Sequence, residues 1–153
     1  MMSNGNEIQK KVTELSEIQP WNHNYMLPGG IETNPGTQVS QGKNLIKFKR
    51  LEPLLDFINL KDINVLDIGC NEGFFSLEMA KKGAHVLGLD IDLHRIQKAR
   101  YIKSLLGADK QVSFNQIDIY SSEFKALTQF DLCLCLGFIH RIPDPVREVA
   151  PFV

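Results

Sequence analysis

Glycines and acidic side chains fall together in one ten-residue segment, VLDIGCNEGF. Glycine lets a chain turn sharply and approach a ligand closely, and Gly69 and Gly73 flank Asn71, which also tolerates left-handed backbone. Asp67 comes just before this turn, and Glu72 lies within it. The segment therefore predicts a turn that approaches its ligand closely in an acidic setting.

The spacing and charge of this segment distinguish between two kinds of nucleotide ligand. A dinucleotide fingerprint has the form G-x-G-x-x-G and places a pyrophosphate over a helix N-terminus, whereas this chain has Gly69, Asn71 and Gly73. Carboxylates at Asp67 and Glu72 would repel a pyrophosphate. They suit S-adenosylmethionine (SAM), which carries an ammonium and a sulfonium group and no phosphate. The charges therefore favour SAM over a nicotinamide dinucleotide.

Two further acids follow the next two predicted strands. Asp90 comes about 20 residues after the turn, where an acid accepts hydrogen bonds from ribose hydroxyls, whereas Asp92 is expected to cap the next helix. Asp118 is expected to accept from an adenine amino group, with Ile119 packing on the ring. The alternative is that Asp67, Asp90 and Asp118 merely cap helices.

The elements that must position these acids alternate between strands and helices over residues 61–153. Apolar or alternating runs predict strands at Asn64–Ile68, His85–Leu89, Gln111–Ile117 and Phe130–Leu136. Helices are predicted at Gly73–Lys82, Leu93–Leu106 (with Gly107 as C-cap), Ser121–Leu127 and from Asp144 to the end. Strands separated by helices form a parallel sheet. We therefore predict an α/β fold with a Rossmann-like, doubly wound sheet whose site lies at the carboxyl ends of the strands.

Residues 1–60 are expected to form an arm of helices and loop before this domain. Apolar residues at helical spacing predict a helix over Asn6–Ile18, and the stretch Trp21–Gly42 is rich in proline and glycine and is expected to be mostly loop. A second helical pattern starts at Lys43, and Pro53 is expected to break or kink it. A loop of this length in a compact domain is typical of a functional or disordered segment.

Four segments, in their order along the chain, resemble the motif set of class I SAM-dependent methyltransferases. They are VLDIGCNEGFFS, GLDID, the segment around Asp118 and FDLCLCLGFIHRIPDP. The resemblance runs from about Asp62 to Pro145. It implies a methyl transfer from SAM. It also implies SAM contacts for Asp67, Gly69, Cys70, Asn71, Gly73, Asp90, Ile91, Asp118 and Ile119, with Leu136 near the methyl end.

A narrower resemblance comes from the arm. Its motifs are similar to the region before the glycine turn in the wobble-uridine tRNA methyltransferase-like family: Trp21-Asn22-His23, Leu27-Pro28-Gly29-Gly30, Thr33 and Lys47-Phe48-Lys49-Arg50. Members of that family methylate, or in one branch carboxymethylate, a modified uridine. The resemblance implies an RNA or small-molecule acceptor, with SAM or carboxylated SAM as the donor. His140 and Arg141 depart from it, because a Tyr-His pair is usual there.

Several residues are candidates for the substrate side. Trp21 and His23 lie on a loop predicted to reach over the site, as a lid or, alternatively, as a tryptophan that pins the arm beside an exposed histidine. His140 follows the fourth strand and has a side chain suited to a general base, although a structural role is equally open. Lys47 and Arg141 are the cationic candidates; the basic run around Lys47 could bind RNA phosphate, although a solvated helix face is favoured.

Composition restricts the class of protein. The 153 residues are 43% hydrophobic and 23% charged with a net charge of −1, which is typical of a globular domain and gives no overall basic field for nucleic acid. The chain has no apolar run long enough for a membrane span and no signal-peptide pattern. Three cysteines, an odd number in apolar segments, predict reduced thiols, a cytoplasmic location and no metal site.

The sheet is expected to stop after its fourth strand, whereas the class I fold has a plan of seven strands. The apolar fourth strand would then be an open edge that invites pairing, so we expect a completing chain or a homo-oligomer. On this interpretation the chain binds SAM weakly and is not a competent methyltransferase alone. A SAM-binding module without catalysis is the alternative function, and an oxidoreductase is disfavoured by the acids in the turn.

Overall fold

The described part of the computed structural model, residues 4–37, 42–137, 139–144 and 147, contains five α-helices and six strands. The helices are α1 (Gly5–Ile18), α2 (Lys43–Ile58), α3 (Phe74–Lys81), α4 (Leu93–Leu106) and α5 (Ser122–Lys125). The strands are β1 (Met26–Leu27), β2 (Ile31–Glu32), β3 (Asn64–Ile68), β4 (His85–Asp90), β5 (Val112–Gln116) and β6 (Leu132–Leu134).

Four of these strands form a parallel sheet in the order β5-β4-β3-β6. Successive side chains of β3 enter two different apolar clusters, since Val65 packs in one and Leu66 in the other, so that both faces of the sheet are covered. Asp67 is level with Gly88 on β4, and all four strands end at the same edge. The predicted Rossmann-like α/β fold is confirmed.

Local signals in the sequence explain where α4 begins and ends. The Asp92 carboxylate accepts from the amide of His94 at 2.9 Å, which satisfies one of the unpaired amides of the first turn. At the other end Gly107 has φ of 67°, and its amide donates to the carbonyl of Lys103. The predicted span Leu93–Leu106 and both predicted caps are confirmed.

The arm is more ordered than predicted. Ile8 and Val12 of α1 are buried in the same apolar cluster as Val65 of the sheet, so the arm and the body share one core. An antiparallel hairpin of β1 and β2 lies within the stretch predicted to be loop. Two-residue strands are too short to produce an alternating pattern, which is why the sequence did not reveal them.

Helix α2 continues through Pro53, so of the two predicted effects the break is wrong and the kink stays a prediction. Proline removes one helical hydrogen bond by lacking an amide hydrogen. The carbonyl left without a donor is that of Lys49, one turn earlier on an exposed part of the helix, where water can replace the missing donor. Burial of Phe48 and Leu55 on the opposite side holds the helix in place.

Within the described ranges, strand β6 pairs with β3 and forms one edge of the sheet, as predicted for the fourth strand. It spans Leu132–Leu134, which is shorter than the predicted Phe130–Leu136. The helix predicted from Asp144 lies mostly outside the described residues. No helix in the described part of the chain combines the length and apolar character needed to cross a membrane.

Candidate functional site

The turn between β3 and α3 bends sharply because three of its residues adopt left-handed backbone. Gly69, Asn71 and Gly73 have φ of 71°, 56° and 81°. The amide of Cys70 donates to the carbonyl of Leu89 on β4 at 2.9 Å. The turn is thereby fixed to the neighbouring strand at the carboxyl edge of the sheet, where a ligand of an α/β sheet binds.

Gly73 also has a steric reason to be glycine. A Cβ atom added there would lie 2.3 Å from Cζ of Phe114, whose ring comes from β5 and fills the space under the turn. The same ring approaches Gly88 of β4, where an added Cβ would be 2.6 Å from Phe114 Cδ1. The turn and the two strands beside it therefore pack around one aromatic side chain, a contact that the sequence did not indicate.

Asp67 lies near the carboxyl end of β3 and is 3% exposed. Burial raises the pKa of its carboxyl from 3.8 to about 6, against the opposing effect of the hydrogen bond donated by the Ser76 hydroxyl. Ser76, in the first turn of α3, was not among the predicted site residues, although its position follows directly from the predicted helix. A cation beside Asp67 would stabilise the ionised form, so this carboxyl can serve an ammonium group.

Asp90 ends β4 and accepts from two backbone amides. Its Oδ2 accepts from Asn71 and its Oδ1 from Asp92, both at 2.9 Å, while Arg95 Nη1 lies 3.8 Å from Oδ2. The side chain thus ties the turn after β3 to the start of α4. Each carboxylate oxygen has a further lone pair, so Asp90 can still accept from a ligand hydroxyl.

Beyond β5 lie the two residues predicted to bind adenine, Asp118 and Ile119. Asp118 is exposed, and its Oδ1 accepts from the amide of Tyr120 at 2.9 Å. Ile119, predicted to pack on an adenine ring, is 7% exposed and belongs to the core cluster of Leu66. The larger exposed apolar surfaces at this edge are those of Ile91 at 63% and Tyr120 at 50%.

Glu72 does not face the ligand side of the turn, which corrects one part of the charge argument. Its side chain is 0% exposed, and Lys98 Nζ lies 3.2 Å from its Oε1. Burial alone would raise the pKa of Glu72. The pKa nevertheless lies below its usual value, because the carboxylate accepts hydrogen bonds from His23 and the Asn22 amide and lies close to the Lys98 charge. Of the acids in or beside the turn, Asp67 and Asp90 remain the candidates for contact with a ligand. Lys98 was missed, although a lysine among the buried positions of α4 is itself a signal for a buried partner.

Trp21 and His23 lie in the junction between the arm and the body. The Trp21 indole donates to the carbonyl of Val12 at 3.1 Å, and the side chain is 4% exposed, which favours the interpretation that it pins the arm. His23 is 8% exposed and stacks on Phe74 with ring centroids 5.5 Å apart, so its predicted exposure is wrong. Neither ring faces solvent in this arrangement, in contrast to the predicted lid.

The remaining substrate-side candidates are exposed. His140 and Arg141 belong to a single 3₁₀ turn, Ile139–Arg141, that follows β6 beyond Gly137, where φ is 77°. Leu136, predicted to lie near the methyl end, is 37% exposed in the same connection. Lys47 lies on the outer face of α2, and the described residues give it no ion-pair partner.

The three cysteines are free thiols. Burial raises the pKa of Cys70 well above its usual value, raises that of Cys133 to about 12 and also raises that of Cys135. The thiols are therefore protonated at neutral pH and behave as small apolar side chains. No group of three or more His, Cys, Asp or Glu side chains within the described ranges is arranged to hold a metal ion.

Comparisons of sequence with known proteins point to one enzyme class. A family model described as a methyltransferase domain matches residues 59–148. A ubiquinone biosynthesis O-methyltransferase of Stutzerimonas stutzeri is 34% identical over 94 residues, covering 61% of this chain and 40% of that protein. A tRNA U34 carboxymethyltransferase of Campylobacter fetus is 25% identical over 146 residues, covering 94% of this chain and 48% of that protein. The chain thus spans about half the length, or less, of these curated relatives.

Comparison of the fold agrees with the sequence matches. The N-terminal domain of EvdMO1, whose crystal structure holds S-adenosylhomocysteine (SAH), superposes with a TM-score of 0.78 at 23% identity. The match covers 99% of this chain and 61% of that one, so it includes the arm as well as the sheet. At 23% sequence identity, this similarity shows a shared fold and not a shared function.

Proposed function

The chain belongs to the class I SAM-dependent methyltransferases, and on that premise we propose that it binds SAM at the carboxyl edge of its sheet and transfers the methyl group to an acceptor. The observation that carries this proposal is the set of acids at successive strand ends, Asp67, Asp90 and Asp118, around a left-handed turn. SAM offers an ammonium group, two ribose hydroxyls and an adenine amino group, all of which donate hydrogen bonds. The acceptors in the chain match those donors in chemical type.

Each residue has a proposed role in binding and orientation. Asp67 faces the ammonium group, Asp90 accepts from the ribose hydroxyls and Asp118 accepts from the adenine amino group, while Ile91 and Leu136 supply apolar contacts at the adenine and methyl ends. The backbone of the turn and Ile119 complete the site: Gly69, Cys70, Asn71, Gly73 and Ile119. Bound SAM supplies a methyl group activated by its positive sulfur. The chain then contributes mainly positioning, with His140 as the candidate base.

For the acceptor we propose a tRNA uridine, with a small molecule as the second candidate. The relative named as a tRNA U34 carboxymethyltransferase aligns with 94% of this chain, arm included, whereas the ubiquinone biosynthesis enzyme aligns with 61%. Lys47 and Arg141, both exposed, are the proposed contacts to an RNA phosphate. Methyl transfer to bulk tRNA and to a pool of phenolic metabolites, measured with radiolabelled SAM, separates the two acceptors.

We propose SAM as the donor in preference to carboxylated SAM. The carboxylated form adds a negative charge, and two of the acids at the carboxyl edge, Asp67 and Asp90, are themselves buried. Arg141, after β6, and Arg95, whose Nη1 lies 3.8 Å from Asp90 Oδ2, are cations that could oppose this preference. Competition calorimetry with both compounds tests the choice, and tighter binding of the carboxylated form would refute it.

We also propose that a further chain or segment pairs with β6, because an edge strand presents unpaired amides and carbonyls. A completed sheet would supply the substrate wall that the first four strands lack.

For location we propose the cytoplasm, since three free thiols are stable in a reducing compartment. If the chain proves to bind SAM without turnover, it is the non-catalytic module instead.

Calorimetry on the purified chain tests the core of the proposal. We expect SAM and SAH to bind and NAD and NADP not to bind, because the negative charges of Asp67 and Asp90 lie at the edge of the sheet where a pyrophosphate would bind. Binding of NAD without binding of SAM would reject the proposed function.

Asp90→Asn is expected to weaken SAM binding by about 10- to 100-fold, the effect of losing a hydrogen bond to a charged group. The variant keeps the shape of the side chain but turns an amide donor towards the Asn71 or Asp92 amide or towards the ligand. Asp92→Asn is the matched control, since asparagine caps helices as well as aspartate does. A Kd for Asp90→Asn equal to that of the unaltered chain would show that Asp90 does not contact the ligand.

A further inference from the structure

A buried ion pair lies directly behind the cofactor turn. Glu72 and Lys98 are both 0% exposed, and Lys98 Nζ is 3.2 Å from Glu72 Oε1. Buried charges of this kind persist when every remaining lone pair and proton has a partner. The partners here come from the N-terminal arm, which is unexpected for two side chains that belong to the methyltransferase domain.

The arm completes this pair through its backbone. Lys98 Nζ donates to the carbonyls of Gln19 at 2.6 Å and Pro20 at 2.9 Å. The amides of Asn22 and His23 donate to the Glu72 carboxylate at 2.9 Å and 2.8 Å. Residues 19–23 are therefore held by one charge of each sign.

The same contacts reach the part of the turn that faces the ligand. Glu72 lies between Asn71 and Gly73, both with left-handed backbone, so the direction of its side chain depends on the shape of the turn. Asn22 Nδ2 donates to Asn71 Oδ1 at 3.3 Å, and the Asn71 amide in turn donates to Asp90. Hydrogen bonds thus connect the arm, through Asn71, to Asp90, the residue proposed to bind the ribose of SAM.

We propose that Glu72 and Lys98 are positioning residues that couple docking of arm residues 19–23 to the ligand-binding shape of the turn, so that arm docking and SAM binding strengthen each other. The inference rests on the proposed function, since it takes SAM as the ligand. With the arm undocked, Glu72 loses its three amide and imidazole donors, and Lys98 loses two carbonyls. The pair would then draw in water, and the turn would lose its fixed backbone.

Linkage makes the coupling reciprocal. If a docked arm raises the affinity for SAM, then SAM must shift the equilibrium between docked and undocked arm towards the docked state by the same factor. The amides of Asn22 and His23 report docking directly, because their hydrogen bonds end on Glu72. Their hydrogen exchange in the unaltered chain is expected to slow by about 10-fold or more at saturating SAM, a factor typical of coupled sites.

Lys98→Met removes the charge but keeps a long apolar side chain. We expect SAM to bind about 10-fold more weakly and the SAM-dependent protection of Asn22 and His23 to disappear. Lys103→Met on the same helix is the matched control, because Lys103 pairs with Asp109 at the surface and should change neither readout. If Lys98→Met fails to fold, Glu72→Gln replaces it in the test. This variant keeps the side-chain shape, removes the opposite charge and is expected to give the same weaker binding of SAM and the same loss of protection.

The outcomes separate this inference from the proposed function. No SAM binding by the unaltered chain would overturn both. SAM binding with unchanged exchange at Asn22 and His23 would overturn the coupling alone. A Lys98→Met variant that binds SAM as tightly as the control would do the same. A double variant, Glu72→Gln with Lys98→Met, that binds SAM better than the two single effects predict would support the pair as one unit.

Discussion

Replacing Asp67 by asparagine is expected to make the folded protein more stable at pH 7 and to weaken its binding of SAM. The carboxyl is 3% exposed, and burial raises its pKa from 3.8 to about 6, so ionised Asp67 destabilises the unliganded fold. The difference corresponds to a gain on the order of 3 kcal/mol in the free energy of unfolding when the charge is removed. Asparagine keeps an oxygen that accepts from the Ser76 hydroxyl.

The effect of Asp67 on the free energy of unfolding depends on pH. The folded protein holds the Asp67 proton more tightly than the unfolded chain, so the stability from this group is complete below about pH 4 and is lost as the pH rises through about 6. Denaturant unfolding from pH 3.5 to 7.5 should show this loss in the unaltered protein and a smaller one in Asp67→Asn. Asp109→Asn, an exposed acid, is the control. Equal slopes in all three proteins would contradict the buried, destabilising charge.

The same variant is expected to bind SAM about 10- to 100-fold more weakly, because a charge-assisted hydrogen bond to the ammonium is lost. In the unaltered protein the affinity should rise with pH through about 6, since the cation binds the ionised carboxyl. Calorimetry at pH 5 and pH 7.5 measures both effects. An Asp67→Asn variant that gains stability and keeps full affinity would remove Asp67 from the ligand site.

Gly73→Ala is expected to destabilise the fold by about 2–5 kcal/mol, the combined effect of a strained left-handed residue and an overpacked contact. The backbone has φ of 81°, and the new Cβ would lie 2.3 Å from the Phe114 ring. The turn cannot yield without moving β5 or α3, so binding of SAM should be lost as well. Denaturant unfolding and calorimetry measure the two effects.

Gly107→Ala is the control for the backbone part of this effect. Its φ of 67° is similarly strained, but no atom lies within 4 Å of the added Cβ. We therefore expect about 1 kcal/mol from this variant, the backbone contribution alone. Adding Phe114→Leu to Gly73→Ala should recover part of the difference. If Gly107→Ala lowers the free energy of unfolding as much as Gly73→Ala does, the contact with Phe114 does not contribute to the destabilisation.

The parts of the fold that the sequence predicted are those with strong local signals. Strand β3 is an apolar β-branched run and was located to the residue, and α4 is bounded by an aspartate cap and a terminal glycine. The hairpin of Met26–Leu27 and Ile31–Glu32 depends on packing against α1 and has no pattern of its own. The expected break at Pro53 does not occur, because burial of Phe48 and Leu55 outweighs the lost helical hydrogen bond.

For the candidate site, the position of the turn and of the acids was predictable from the sequence, but the directions of the side chains were not. Glycine and asparagine content identified the turn, and the order of strands placed Asp67, Asp90 and Asp118 at one edge. The direction of Glu72 follows from a lysine 26 positions away and from arm amides about 50 positions away, which no local pattern encodes. The burial of His23 is a consequence of the same distant contacts.

The indole of Trp21 makes the arm observable by optical means. It is the one tryptophan of the chain, it is buried, and Lys98 Nζ lies 4.9 Å from the ring centroid. Emission excited at wavelengths that tyrosine does not absorb therefore arises entirely from the junction of arm and body. Its intensity and wavelength, and its quenching by iodide, follow the arm in real time in the unlabelled protein, so stopped-flow mixing can time its movements.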